Sequence, residues 1–226
     1  MNRSRTLLFS LILILLIHAG SHAIDTYVPA KDDVVSPEGL PKIGKWMIAP
    51  NNKPADWLGE KYKGRSIKEP VNVILIDTKA TNEAEAVEML IRYCEEAGYK
   101  DRSGHSSGYK AYIDGTIYGQ LPSEEGHAFS DAHYEFNNDH GRMFGPYRIE
   151  KGYLFIGAFS REVVGIYGSG FTHKYGSFKR ARDGFARSIS RKTDLKKVSY
   201  VEMGNKIDSS DTTTGDHDGK AVLIRN

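Results

Sequence analysis

Val71-Asn72-Val73-Ile74-Leu75-Ile76 is a short run of branched apolar residues broken by a single asparagine. A run of this length and composition, with no gap for a solvated face, is typical of a strand that is buried on both sides. We therefore predict that the ordered domain begins at Val71 with a buried strand.

A helix is predicted directly after this strand. Asn82 can cap its first turn, with Glu85 at the reciprocal position of a capping box. Apolar residues then recur at helical spacing until Gly98 ends the helix, namely Val87, Leu90, Ile91 and Cys94. Cys94 is the single cysteine of the chain. We expect it to be a buried, inert thiol, and it can form no intramolecular disulfide.

The rest of the chain alternates short apolar runs with glycine turns. These runs predict strands at 109–113, 116–120, 132–136, 143–149, 153–159, 198–203 and 221–224. A second helix is predicted at 178–190, with one apolar face made of Phe178, Ala181, Phe185 and Ile189. Strands outnumber helices, so the predicted fold class is α+β, a mostly antiparallel sheet with two main helices.

The first 23 residues have the three-part layout of a secretory signal peptide. Arg3 and Arg5 precede an apolar core at 7–17, and Ser21 and Ala23 occupy the −3 and −1 positions of a cleavage site. The core is about half as long as the ~20 residues that span a bilayer. We therefore predict cleavage and export to the periplasm or the exterior. An uncleaved N-terminal anchor is the alternative.

A proline-rich stretch follows the leader. Six of the eight prolines lie between Pro29 and Pro70, which predicts an extended, irregular lead-in at 24–69 ahead of a domain at 70–226. Trp46 and Trp57 lie in this stretch, and large aromatic side chains favour a segment that packs against the domain. A mobile tether is the alternative.

Charge is balanced over the mature chain. Loss of Arg3 and Arg5 with the leader reduces the basic residues from 31 to 29, which equals the 29 acidic residues. This balance disfavours nucleic acid as a partner. Positive charge is local, since the segment 172–197 holds nine basic and two acidic residues. This segment either docks onto anionic lipid headgroups, phosphorylated sugars or an acidic partner, or forms a solvated helix face.

Acidic and imidazole side chains alternate with apolar ones in the predicted strand at 132–136. Asp131, His133 and Glu135 would share one face of it and could hold a divalent cation. Alternate strand residues lie about 7 Å apart, however, which is far for ligands of one ion. A half-buried strand with a solvated outer face explains the same pattern. No metal ligand is assigned, and the cofactor stays unknown.

Arginine, histidine and acidic residues concentrate in three motifs, at 139–142, at 157–162, and at 172–173 with 182–183. An arginine at a glycine-rich turn can bind an anion. The predicted binding residues are therefore Arg142, Ser160, Arg161 and Arg182. A histidine beside a carboxylate can act as a general acid or base. The predicted catalytic residues are His140, His173 and Asp183. The alternative is that Arg161 and Arg182 pair with Glu162 and Asp183 and only brace strand against helix.

Seven short stretches, taken in order, resemble the LssY carboxy-terminal domain family, a bacterial domain of unsettled function. They are 70–76, 96–99, 140–142, 156–162, 172–173, 182–183 and 215–219. The family usually shows paired histidines at both histidine motifs, whereas here Asp139 and Lys174 replace one partner of each pair. Some members are fused to membrane phosphatase domains, so the resemblance implies work near membrane lipids.

Three functional hypotheses follow. The first is an exported accessory domain that binds an anionic envelope ligand, a lipid headgroup or a phosphorylated sugar, through Arg142, Arg161 and His173. The second is a hydrolase of a phosphorylated or lipid substrate, with His140 and His173 as acid and base and Asp183 orienting them. The third is a structural or interaction module. The hydrolase hypothesis requires both histidines in one cleft.

Overall fold

A computed structural model of the protein describes residues 27–167 and 170–226. The predicted signal peptide at 1–23 lies outside the described residues. No helix in these two ranges is both long and apolar enough to cross a membrane.

The secondary structure of the described residues consists of fifteen strands, two α-helices and one 3₁₀ turn at Lys31–Asp33. The first part of the chain contains β1 (Val34–Val35), β2 (Ile43–Gly44), β3 (Asp56–Tyr62), β4 (Arg65–Lys68), β5 (Val73–Asp77), α1 (Glu83–Glu96), β6 (Lys100–Arg102), β7 (Lys110–Ile113) and β8 (Thr116–Leu121). The second part contains β9 (Ala128–Ser130), β10 (Asn138–Ile149), β11 (Gly152–Tyr167), β12 (Gly170–Ser177), α2 (Phe178–Lys192), β13 (Lys196–Glu202), β14 (Thr212–Thr213) and β15 (Lys220–Arg225).

The fold is mostly β, with 45% strand and 16% helix, so the predicted α+β class is wrong. The large sheet has twelve strands, nine of which form a curled half-barrel in the order β1-β2-β7-β8-β10-β11-β5-β15-β13. Beside this path, β12 pairs with β11, β9 pairs with β10, and β6 pairs with β9. The difference has two sources. Strands β10 and β11 run for 12 and 16 residues, well beyond the apolar runs that predicted them. Eight further strands form where none was predicted, namely β1 to β4 in the proline-rich stretch and β6, β9, β12 and β14 later in the chain.

Strand β5 lies inside the sheet, between β11 and β15, and all five of its residues are buried, as the apolar run predicted. Alternate side chains of a strand point to opposite faces of the sheet. Val73 and Leu75 pack in a core beneath the two helices. Ile74 and Ile76 pack in a second core, which includes Ile113 of β7 and lies inside the curl of the sheet.

Both helices begin at the predicted residues. Asn82 Oδ1 accepts the backbone N–H of Glu85, whereas the Glu85 carboxylate reaches back one residue further, to the N–H of Thr81 at 2.8 Å. Gly98 has φ +92° and ends α1 in the left-handed region that glycine tolerates. Ser177 caps α2, and the predicted apolar face of that helix is buried, at Phe178, Ala181, Phe185 and Ile189.

The proline-rich stretch from residue 27 onwards packs against the large sheet. Strands β3 and β4, with the short β14, form a second, three-stranded sheet. Trp57 on β3 is buried beside Tyr175 and Phe178. Trp46 is also buried, and its Nε1 donates to Asp33 Oδ1 at 2.7 Å. The second sheet therefore covers part of the large one, and the space between them is the cavity described next.

Candidate functional site

A cavity of about 280 Å³ lies between β3 of the small sheet and strands β10 to β12 of the large sheet. Its polar lining consists of Glu69, His105, His140, Arg142, Glu162 and His173. Its apolar and aromatic lining includes Trp57, Leu58, Tyr109 and Tyr134. Three histidines, two carboxylates and one guanidinium therefore share a small volume.

The alternation of side chains along β10 and β11 places the central residues of this cavity. His140 and Arg142 are two apart on β10, and Ser160 and Glu162 are two apart on β11, so each pair points to one face. His140 lies directly opposite Ser160 in the antiparallel register. All four side chains consequently lie on the inner face of the curled sheet, at the end beyond the apolar core.

Glu162 holds two polar neighbours with its two oxygens. Oε1 lies 2.8 Å from Nδ1 of His173 on β12, and Oε2 accepts Nδ2 of Asn138 at 3.0 Å. Glu162 is 4% exposed, so both contacts are shielded from water. A carboxylate on one ring nitrogen fixes the orientation of the imidazole and leaves the other nitrogen free for chemistry.

Asn138 also determines the tautomer of His140. The Asn138 amide donates Nδ2 to Phe136 O and to Glu162, so its Oδ1 accepts from His140 Nδ1 at 2.7 Å. His140 then carries its proton on Nδ1 and leaves Nε2 as an acceptor, 3.5 Å from Ser160 Oγ. Burial, aided by His105 and Arg142, lowers the pKa of His140 well below the ordinary value, so this ring is neutral.

His105 enters the cavity from the loop between β6 and β7. Its ring centroid lies 4.9 Å from that of His140. Burial and the nearby charge of Arg142 lower its pKa to about 4, so it is neutral near pH 7. Its Nε2 is buried and has no hydrogen-bond partner among the described residues. A buried polar atom of this kind is costly, and a bound ligand can satisfy it.

Among the described residues, Arg142 is the only arginine that lines this cavity. Its side chain is 5% exposed, its Nη2 donates to Ser106 O at 2.8 Å, and its guanidinium lies 4.6 Å from the Tyr109 ring centroid. It forms no salt bridge within the described residues, and its Nε has no hydrogen-bond partner there. Glu69 and Glu162 lie near enough to interact with its charge, but neither makes a direct ion pair with it. The guanidinium therefore keeps a donor that an anion in direct contact can occupy.

Glu69, just beyond the end of β4, is the second carboxylate of the cavity. It is 6% exposed, and burial raises its pKa to about 7, although the charge of Arg142 partly opposes this shift. A carboxyl group with a pKa near neutrality can hold or release a proton at physiological pH. Because Glu69 is only partly ionised near pH 7, it neutralises the charge of Arg142 only in part.

Trp57 closes the cavity from the small sheet. Its indole Nε1 donates to Ser160 Oγ at 3.0 Å, and its ring meets Tyr175 edge to face at 6.0 Å. Ser160 is 2% exposed and is absent from the cavity lining. Its hydroxyl therefore links Trp57 to His140 and does not face the cavity as a nucleophile.

The structure brings together four of the seven predicted site residues and separates the other three. His140, His173 and Arg142 line the cavity, and Ser160 lies directly behind it. The requirement that both histidines share one cleft is met.

Arg161, predicted to face the same anion, points to the opposite face of the sheet. It follows Ser160 on β11, so parity turns it toward the helices. Its Nη1 pairs with Asp139 Oδ1 at 2.7 Å. Arg161 therefore does not face the predicted anion, and it does not form the alternative pair with Glu162, because its partner is Asp139.

Arg182 and Asp183 lie on α2, away from the cavity. Arg182 is 1% exposed and forms two hydrogen bonds with Asp218, at 2.6 and 3.1 Å. Its Nε pairs with Asp183, which also accepts the hydroxyl of Tyr200. The prediction that Asp183 orients the histidines is therefore wrong. Glu162 is the carboxylate that orients His173. Arg182 instead joins α2 to Asp218, which precedes β15.

The predicted strand at 132–136 is a turn. Asp131, His133 and Glu135 therefore do not share one strand face, as the metal hypothesis required. Asp131 instead accepts the backbone N–H of Asp139 at 2.8 Å, while His133 and Glu135 are exposed. Within residues 27–167 and 170–226, no group of three histidine, cysteine or acidic side chains is arranged to hold a metal ion.

Three polar residues of the cavity were not among the site residues predicted from the sequence. Glu69 lies in the stretch predicted as a lead-in, His105 lies in a loop, and Glu162 was considered only as a structural partner of Arg161. Glu162 could have been found by continuing the alternation of the predicted strand at 153–159 past its end, because Glu162 lies two residues from the predicted binding residue Ser160. Local sequence offers no comparable signal for the other two.

Comparisons of this chain with protein-family models, with curated proteins and with solved structures found no match. The resemblance to the LssY carboxy-terminal domain family therefore stays a prediction.

Proposed function

We propose that the cavity binds a small anionic group, with Arg142 as its principal contact. The supporting observation is the unpaired state of this buried guanidinium, whose Nε lacks a partner among the described residues. A phosphate or carboxylate would supply the missing acceptor and form a direct ion pair with the guanidinium. His105 Nε2 can accept from or donate to the same group, depending on which nitrogen carries its proton.

The proposed setting of this site is the cell envelope, because the predicted signal peptide would deliver the domain outside the cytosol. The ligand would then be a lipid headgroup or a phosphorylated sugar. N-terminal sequencing of the protein from its native host, combined with fractionation, tests this setting. A chain that begins after Ala23 in the periplasmic or secreted fraction supports it, and an intact leader on cytosolic protein contradicts it.

Calorimetric titration with inorganic phosphate and phosphoethanolamine tests the binding proposal. We expect Arg142→Met to abolish binding. Arg161→Met is the matched control, because Arg161 is also partly buried but pairs with Asp139 on the other face. Binding that survives Arg142→Met, or that Arg161→Met removes equally, contradicts the proposal.

A second candidate function is hydrolysis of a phosphate ester in the same cavity. The contact between His173 and Glu162 favours it, since a carboxylate-oriented imidazole beside an anion contact is a general-base arrangement. His173 Nε2 would take a proton from water as the water oxygen bonds to phosphorus. The phosphorus–oxygen bond to the leaving group would break, and protonated Glu69 would give its proton to the departing alkoxide.

Turnover assays with p-nitrophenyl phosphate and glycerol phosphate distinguish the two candidates. Hydrolysis predicts that His173→Asn lowers kcat by about 10²-fold to 10⁴-fold, the usual contribution of a general base, while phosphate still binds. Phosphate binding without turnover in the wild type supports binding alone. Absence of both leaves the cavity as part of a structural or interaction module.

A further inference from the structure

Large apolar side chains surround the mouth of this polar cavity. Leu58 and Tyr134 both line it, yet they are 48% and 40% exposed. Phe136, two residues further along the same loop, is 63% exposed. Single exposed apolar residues are ordinary, but several at the entrance of a charged pocket point to a ligand with an apolar part.

The backbone holds Leu58 outward in an unusual conformation. Leu58 has φ +47° and Gly59 has φ +70°, and the pairing of β3 with β4 shifts register between Asp56 and Lys61. Asparagine, aspartate and glycine are the usual residues in this left-handed region, and leucine is rare there. The irregularity keeps Trp57 buried while it turns the next side chain toward solvent.

Tyr134 is fixed on the other side of the entrance. Its ring lies over Gly104, where a Cβ atom would come within 2.8 Å of Tyr134 Cε1, so the close approach requires glycine. The ring centroid is 6.3 Å from that of His173. Tyr134 therefore lies between the proposed base and solvent, with Phe136 beyond it on the loop.

We infer that the anionic ligand is an amphiphile, whose charged head binds Arg142 and whose alkyl chain leaves between Leu58 and the loop that carries Tyr134 and Phe136. This inference rests on the proposed anion site. The cavity volume of about 280 Å³ supports it, because pockets that enclose whole small molecules measure roughly 300–1,000 Å³. A headgroup fits inside, and a long chain must lie on the apolar rim.

Titration with inorganic phosphate and with methyl, butyl and octyl phosphate below their micelle concentrations tests the inference. In the wild type, we expect affinity to rise by up to about fourfold per methylene once the chain reaches the rim. Leu58→Asn and Phe136→Ser should flatten this rise, and Phe136→Ser, which lies outside the cavity lining, should leave the affinity for inorganic phosphate unchanged. Asparagine suits the left-handed backbone at residue 58. Val198→Ser is the matched control, since Val198 is 60% exposed on β13 outside the cavity lining.

The outcomes separate this inference from the proposal on which it depends. Equal affinity for inorganic and octyl phosphate in the wild type overturns the amphiphile and leaves the anion site intact. An equal loss of chain dependence in Val198→Ser also overturns it, because the effect would not be local to the rim. Failure of every phosphate to bind the wild type removes the anion site itself.

Discussion

Oε1 of Glu162 lies 2.8 Å from Nδ1 of His173, although the two residues belong to neighbouring strands and are not directly opposed in the register. Glu162 is opposite Tyr175, and His173 is opposite Val164, so the contact is diagonal across β11 and β12. Diagonal contacts of this kind need long side chains that point to the same face. The pairing of the two strands therefore assembles the carboxylate–imidazole pair.

Glu162→Ala should destabilise the fold by about 2 kcal/mol, because His173 and Asn138 lose their acceptor and Asn138 is fully buried. The free energy of unfolding in urea measures this. Glu202→Ala is the control, since Glu202 pairs with Lys220 but is largely exposed. This substitution should not measurably change the free energy of unfolding. Equal effects of the two substitutions would mean that the network around Glu162 contributes no stability.

Arg142 and Arg182 should differ in their effect on stability, although both are buried. Arg142→Met removes a guanidinium without an ion pair and should leave the free energy of unfolding within about 1 kcal/mol of wild type. Arg182→Met breaks its pairs with Asp183 and Asp218 and should cost about 2–3 kcal/mol, less than a fully buried pair because both carboxylates are partly solvated. Urea unfolding of the ligand-free variants measures both. A large loss with Arg142→Met would show that its charge is compensated within the protein.

Glu69 should make the protein less stable as pH rises from about 4.5 to 7. Its folded pKa of about 7 exceeds the unfolded value near 4.5, so between these limits the folded state binds more protons. Ionisation at pH 8 then costs about 3 kcal/mol that is absent at pH 4. His105 and His217, whose folded pKa values are about 4, act in the opposite direction, because their unfolded states bind more protons between about 4 and 6.5.

Comparison of Glu69→Gln with wild type isolates the contribution of Glu69, because the histidines are common to both proteins. Relative to wild type, the variant should gain about 3 kcal/mol between pH 4 and pH 8. Urea unfolding at both pH values measures the difference, even if the substitution itself shifts stability by a constant amount. A difference that does not change with pH would mean that Glu69 titrates normally.

Gly141→Ala should destabilise the protein by about 2–3 kcal/mol through overpacking. A Cβ at Gly141 would lie far inside van der Waals contact with the Phe159 ring, which packs against Phe185 of α2. Gly165→Ala, in the same long sheet, would meet only Thr172 Oγ1 at 3.1 Å and should be nearly neutral. Thermal unfolding of both variants checks this. A stable Gly141→Ala protein would show that the backbone between His140 and Arg142 can shift.

Local sequence determined the elements whose signals are local. The apolar run at 71–76 predicted a buried strand, Asn82 and Gly98 marked the ends of α1, and periodicity identified the buried face of α2. These signals work because a helix cap involves residues three apart and an amphipathic face repeats every turn. The fold class was wrong because short strands such as β2 and β14 form against β7 and β4, partners that lie far along the chain.

Only the tertiary structure decided which polar residues form the site. Ser160, Arg161 and Glu162 are consecutive in one motif, yet the alternation of side chains along the strand places Arg161 against Asp139 and Glu162 against His173. Glu69 reaches the same cavity from the small sheet, and composition carries no signal for that approach. The amino-acid sequence specifies which groups can hold a charge or a proton. Strand register and the curl of the sheet determine which of them meet, because both depend on contacts between residues distant in sequence.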